Sequence, residues 1–127
     1  MTYIFNHAII RKPNKSILNG LSSQNLHPQY EIVLEEHRNY VKAIKEAGLK
    51  INILQPLEEY PDSIFVEDPA LTYKSNVILL NPFDPSRNGE KDIIKNEIRD
   101  FFDSIFFVED GFVEGGDILN ISNHFII

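Results

Sequence analysis

The 127-residue chain contains no cysteine. Without a thiol it can form no disulfide, supply no thiolate nucleophile and offer no sulfur ligand to a metal. Its four histidines, His7, His27, His37 and His124, show neither H-x-x-x-H nor H-E-x-x-H spacing, so no metal site is expected. No apolar run approaches the roughly 20 residues of a membrane-spanning helix, which argues against a membrane partner. The opening Met-Thr-Tyr-Ile-Phe-Asn-His lacks the basic stretch and long apolar core of a secretion signal, so a cytoplasmic location is the expectation. Cationic side chains are outnumbered, 12 Lys and Arg against 19 Asp and Glu, giving a net charge of −7. That balance argues against a nucleic-acid partner. It would favour encounter with small cations, and it is equally what solubility alone requires.

What is present suits one globular domain with a core of its own. Tyr3 to Ile10 reads as a strand and Lys12 to Leu26 as a loop. Pro28 suits a first helical turn. Val33, His37, Tyr40, Val41 and Ile44 then recur at helical spacing, and Gly48 is a natural C-terminal stop. Ile51 to Leu54 is a short strand. A second unit repeats the plan. Asn76 to Leu80 is a strand and Asn81 to Gly89 a turn-rich loop. Ile93, Ile94, Glu97, Ile98 and Phe101 form a helical face, with Glu90 and Asp92 favouring the helix start. Ile105 to Val108 is the next strand, and Asp117 to Ile121 with His124 to Ile127 a hairpin about Ser122-Asn123. Strands alternating with helices imply an α/β architecture. The final apolar strand reads as cut short, as though the chain were the front part of something longer.

The most informative stretch is Asp62-Ser-Ile-Phe-Val-Glu-Asp-Pro69. Asp62, Glu67 and Asp68 flank the apolar Ile64, Phe65 and Val66, in a segment with β propensity. Crowded carboxylates need a cation, and no Lys or Arg lies between Asp62 and Asp68, so a ligand is one candidate for it. If Asp62 and Asp68 touch one small ligand, the segment must bend. A second acidic stretch, Val113-Glu114-Gly115-Gly116-Asp117, repeats the theme, and its glycines would let the backbone turn sharply after Glu114. A guanidinium group is planar and is gripped bidentately by carboxylates, with Asp68 and Glu114 as the candidate pair. Arg87, in Ser86-Arg87-Asn88-Gly89-Glu90, could fork onto a carboxylate at the ligand's other end. Read separately, the acids also fit exposed turn residues and Arg87 a solvated loop charge. His7 and His37 lie on apolar patterns and read as packed. His27 reads as a loop or helix-edge residue, and His124 as an ordinary strand histidine.

Four pieces in this order resemble the dimethylarginine dimethylaminohydrolase family: Asn19-Gly20-Leu21-Ser22, Pro61 to Pro69, Ser86 to Glu90, and Val113 to Ile118. The resemblance implies a pentein-type α/β-propeller, of which residues 1–127 would supply the N-terminal portion of a single domain, about the first two ββαβ blades. It implies an amidinohydrolase in which a cysteine thiolate attacks the guanidinium carbon of N-methylated arginine, methylamine leaves, and water releases citrulline. No cofactor is implied. Asp68 and Glu114 are similar to the family's guanidinium-binding carboxylates, and Glu114 also to the residue assisting the catalytic histidine. Arg87 would meet the substrate's carboxylate and Asp62 its α-amino end. Leu21 would lend backbone from a lid, Phe65 would line the pocket, and Glu67 would be a neighbouring contact.

The family's cysteine and histidine would lie beyond Ile127, and none of the four histidines here matches the catalytic one. Asn88 stands where many relatives carry a second arginine. Three readings follow: a portion of a methylarginine hydrolase, an arginine deiminase or amidinotransferase of the same fold, and a non-catalytic binding or interaction module. Each takes a small guanidino ligand, and a homodimer is left open for the complete protein.

Overall fold

The computed structural model describes residues 5–24, 26–121 and 124–127. It divides into two compact units, Met1–Phe65 and Val66–Ile127.

In the first unit, β1 (His7–Arg11) and β2 (Lys50–Leu54) pair in parallel through α1 (Tyr30–Glu46). Of the expected opening strand, Tyr3 and Ile4 lie outside the described residues, and Phe5 and Asn6 precede the strand, which begins at His7. A 3₁₀ turn, Lys15–Asn19, interrupts the expected loop. Helix α1 starts at Tyr30, so Pro28 precedes the helix instead of opening its first turn. Of the expected stripe, Val33, His37, Val41 and Ile44 are half-buried, whereas Tyr40 is 57% exposed. At about 100° per residue, Tyr40 falls at the margin of a face that also takes in Tyr30 and Leu34. Gly48 adopts a left-handed φ of 88° just past the helix, and its N–H bonds to Lys45 O at 2.9 Å, as a C-terminal stop should. Ile10 and Leu54 are the buried apolar residues here, and fully buried Arg11 and Asn14 lie beside them in sequence.

In the second unit the sheet that repeats this plan has three strands instead of two. β3 (Ala70–Tyr73) and β4 (Asn76–Leu79) form an antiparallel hairpin, and β4 pairs in parallel with β5 (Ser104–Phe107) through α2 (Glu90–Ile98). Central β4 is closed on both sides, and Val77, Leu79 and the following Leu80 are at most 1% exposed. Ile94 and Ile98, four apart on α2, complete this core at 1% and 2%. Each such side chain contributes about 1.5–3 kcal/mol of burial. β6 (Leu119–Ile121) and β7 (His124–Ile126) form the expected hairpin, whose turn lies outside the described residues. Phe125 on β7 meets Tyr73 edge-on, with ring centroids 5.5 Å apart.

Candidate functional site

Residues 62–69 are not a strand, despite the β propensity of Ile64-Phe65-Val66. In the first unit two turns follow one another: Ser63 N–H bonds to Tyr60 O at 3.1 Å, and Phe65 N–H to Asp62 O at 3.0 Å. Two side chains hold them, Arg11 at the end of β1 and Asn14 three residues beyond it. Arg11 donates from Nε to Ser63 O at 3.2 Å and from Nη1 to Gln55 O at 2.7 Å. Asn14 Nδ2 donates to Tyr60 O and Ser63 Oγ, both at 3.1 Å. These buried polar groups are satisfied by turn carbonyls, which spares the cost of an unpaired interior donor. Sequence reasoning missed both residues. The available signal was an arginine closing an apolar strand.

The turns bury Asp62 to 7% exposure. Its two oxygens accept the Leu21 N–H at 3.2 and 3.1 Å. Gly20 makes this approach possible, because a Cβ there would lie 2.7 Å from Asp62 Oδ1. Asp62 and Leu21 are thus brought together, with the carboxylate on the loop backbone. Leu21 and Phe65 are exposed, at 61% and 48%. His37 is half-buried and shares a hydrogen bond with Arg11 O through Nε2 at 3.0 Å. Burial lowers its pKa, against the opposing pull of that carbonyl. His7, expected to be packed, is exposed and bonds through its ring to Asn52 Oδ1, because it stands at the outer end of β1. His27 lies exposed on the loop, 3.1 Å from Leu18 O.

In the second unit the acidic stretches do meet. Gly115 N–H donates to Asp68 O at 3.2 Å. A Cβ on Gly115 would stand 2.4 Å from Glu67 O. The backbone does turn after Glu114, in a 3₁₀ turn over Gly115–Asp117, though neither glycine takes a left-handed φ, and Gly115 adds a close approach that the sequence did not announce. Its missing side chain lets two backbones touch, placing Glu114 next to Asp68 along them. Glu114 is half-buried, Glu67 exposed, and the Glu114 N–H bonds to Asp117 Oδ2 at 3.1 Å.

Arg87 departs most from an exposed loop charge. It sits in a 3₁₀ turn, Pro85–Arg87, opened by Asp84, whose carboxylate accepts the Ser86 N–H at 2.8 Å and is held below its usual pKa first by the Ser86 side chain and then by that N–H. Arg87 is 4% exposed and Glu90, at the start of α2, is fully buried. Arg87 Nε and Nη2 fork onto Glu90 Oε2 and Oε1 at 2.8 and 3.0 Å. Nη1 donates to Asp68 Oδ2. Burial opposes the Arg87 charge, but the Glu90 hydrogen bonds and charge, with those of Asp68, outweigh it and raise the pKa. The cation missing from the first acidic stretch is therefore supplied for Asp68 by the chain itself, from 19 residues away. Glu90 does stand in the first turn of α2, as read from sequence, and is also the fixed partner of this arginine.

Chemically, the second unit offers two carboxylates on touching backbones, one pinned by an internal arginine. That set suits a flat cation able to share a carboxylate with a guanidinium. Among the described residues no group of His, Asp and Glu is arranged to hold a metal ion. Nor is any helix among them long and apolar enough to cross a membrane.

Comparison with known proteins gives this arrangement a context. The family described as N,N dimethylarginine dimethylhydrolase, eukaryotic, matches residues 8–124. The N(G),N(G)-dimethylarginine dimethylaminohydrolase of Pseudomonas aeruginosa is 39% identical over 127 residues, covering 98% of this chain and 50% of its own length. The protein of the same name from Streptomyces coelicolor is 27% identical over 119 residues, covering 91% and 46%. This chain thus spans about half the length of these curated relatives. A solved structure of the Pseudomonas aeruginosa protein, a cysteine-to-serine variant complexed with citrulline, superposes with a TM-score of 0.92 at 38% identity, over 97% of this chain and 49% of that one. The N-terminal domain of ArgZ, an arginine dihydrolase, gives 0.75 at 20% identity over 87% and 43%, a likeness of fold alone. The fold is the pentein-type α/β architecture that the motifs imply.

Proposed function

This chain belongs to the dimethylarginine dimethylaminohydrolase family, and from that premise we propose that it is the N-terminal portion of a single-domain amidinohydrolase converting N-methylated arginine to citrulline and methylamine. The observation carrying the proposal is the joining of Asp68 and Glu114 through the Gly115 N–H, with Arg87 and Glu90 fixing Asp68. In this reading the two carboxylates hold the substrate guanidinium flat. Arg87 orients Asp68, which is the role its geometry supports. Contact with the substrate's carboxylate is the role the resemblance implies for it. Asp62 and the Leu21 backbone receive the α-amino end, Phe65 lines the pocket, and Glu67 is a flanking contact.

The nucleophile comes from polypeptide outside residues 1–127. A cysteine thiolate there adds to the guanidinium carbon, and the C–N bond to the methylated nitrogen breaks. A histidine, assisted by Glu114, gives that nitrogen its proton. Water then attacks the thiouronium carbon, the histidine takes a proton from it, and citrulline leaves as the thiolate returns. Support comes from relatives: solved dimethylarginine dimethylaminohydrolase structures carry a cysteine-to-serine substitution with citrulline in one case and a histidine-to-glycine substitution with an S-methyl-L-thiocitrulline adduct in another.

The test is citrulline formation from monomethyl- and dimethylarginine by the full-length protein, with residues 1–127 alone expected to be inactive. Turnover of free arginine but not its methylated forms would move the assignment to a deiminase. A second reading, a guanidino-binding module without catalysis, rests on the absence of cysteine from the chain. Methylarginine binding without turnover by the full-length protein would favour it.

A further inference from the structure

We propose that Asn81 is a positioning residue that sets the place of Glu114, an inference that rests on the functional reading above. Asn81 follows β4 and uses both donors and its acceptor at once. Its Nδ2 donates to Val108 O at 2.9 Å and to Gly111 O at 3.1 Å. Its Oδ1 accepts from Lys91 Nζ, on the first turn of α2. Its own carbonyl accepts the Val113 N–H at 2.8 Å in an isolated antiparallel bridge. One residue therefore fixes the start, middle and end of the segment 108–113, whose next residue is Glu114.

The middle anchor falls at Gly111, where φ is 82°, a left-handed conformation that a glycine holds without steric cost. The rings of Phe83 and Phe112 then close edge to face, with centroids 5.2 Å apart, so the two segments meet a second time. Beyond Val113, the Gly115 N–H bonds to Asp68 O. Glu114 is thus suspended between two fixed points, one made by Asn81 and the other by the backbone of Asp68. A primary amide is required at 81. Aspartate accepts from Lys91 but has no N–H for the two carbonyls, and leucine has neither function.

The test uses the full-length protein with Asn81→Leu and Asn81→Asp, beside Lys91→Met, which removes only the Oδ1 contact. Both Asn81 variants are expected to lower kcat on methylarginine about tenfold or more and to raise KM by a smaller factor, since Glu114 both grips the guanidinium and assists the histidine while the amino-acid end is held elsewhere. Lys91→Met is expected to fall between them and the parent. A drop in melting temperature with kcat unchanged would overturn the proposal. Amide hydrogen exchange at Val113 and Gly115 decides it independently of catalysis. Protection there is expected to fall at least about tenfold in Asn81→Leu, while amides of α2 stay as they were. Unchanged protection at Val113 and Gly115 would overturn the inference even if the protein turned over no guanidino substrate, an outcome that would separately refute the functional reading.

Discussion

Replacing Gly115 by alanine tests the contact on which the acidic pair depends. The added Cβ would lie 2.4 Å from Glu67 O and 3.0 Å from the Glu67 carbonyl carbon. Both neighbours are backbone, so no side chain can swing aside. The two segments must separate by more than about half an ångström, a repulsive shift of the kind that costs about 1–3 kcal/mol. The Gly115 N–H bond to Asp68 O stretches with them, adding about 1 kcal/mol. The combined loss, about 2–4 kcal/mol, corresponds to a fall in melting temperature on the order of 10 °C for a domain of this size. Gly116→Ala is the matched control, because nothing lies within 4 Å of a Cβ there and its φ is not left-handed. That change should stay within about 0.5 kcal/mol. Thermal and urea unfolding of the two variants, side by side, give the comparison. Equal stability of Gly115→Ala and Gly116→Ala would refute the close approach. In the full-length protein, Gly115→Ala should also lose most of its methylarginine turnover.

Three further outcomes follow from the geometry. Glu90→Gln removes the charge paired with buried Arg87 and should destabilise the second unit by about 2–4 kcal/mol by denaturant unfolding, given the cost of breaking a buried pair. Gly20→Ala should push Asp62 off the Leu21 N–H, seen as faster exchange of the Leu21 amide, and weaken methylarginine binding by the full-length protein. Because burial lowers the His37 pKa from its ordinary 6.5, the unfolded chain takes up the proton first. Stability from this residue is therefore complete above pH 6.5 and declines as the pH falls below it, until the folded state also protonates. His37→Gln should flatten that decline in a pH series of melting temperatures.

The strand–helix–strand order was legible because periodicity reports which faces are buried, and β1, α1, β2, β4, α2 and β5 each carry it. β3 was not separated from the extended region before it, since Ala70 to Tyr73 offers only a few residues between Pro69 and a turn at Lys74, whose φ is 55°. The segment 62–69 was misread because Ile64-Phe65-Val66 favours a strand locally, while Arg11 and Asn14, some fifty residues away, impose turns. The convergence of the two acidic stretches was readable from their matching motifs. The means of convergence was not, because close approach at Gly115 leaves the same letter as a sharp turn. Arg87 and Glu90 were visible as charges, but burial follows from tertiary packing and cannot be inferred from a loop sequence.

The Arg87–Asp68 pair bears on how a ligand of the proposed kind would arrive. The protein already seats a guanidinium of its own on Asp68, at Oδ2, which leaves Oδ1 as the less occupied oxygen for a newcomer. Under the proposed function Asp68 would work as a half-occupied seat, favouring a visitor that comes edge-on and from one side. Regiochemistry, and with it the choice of bond to be cut, would be imposed by an arginine that need never touch the reacting atoms.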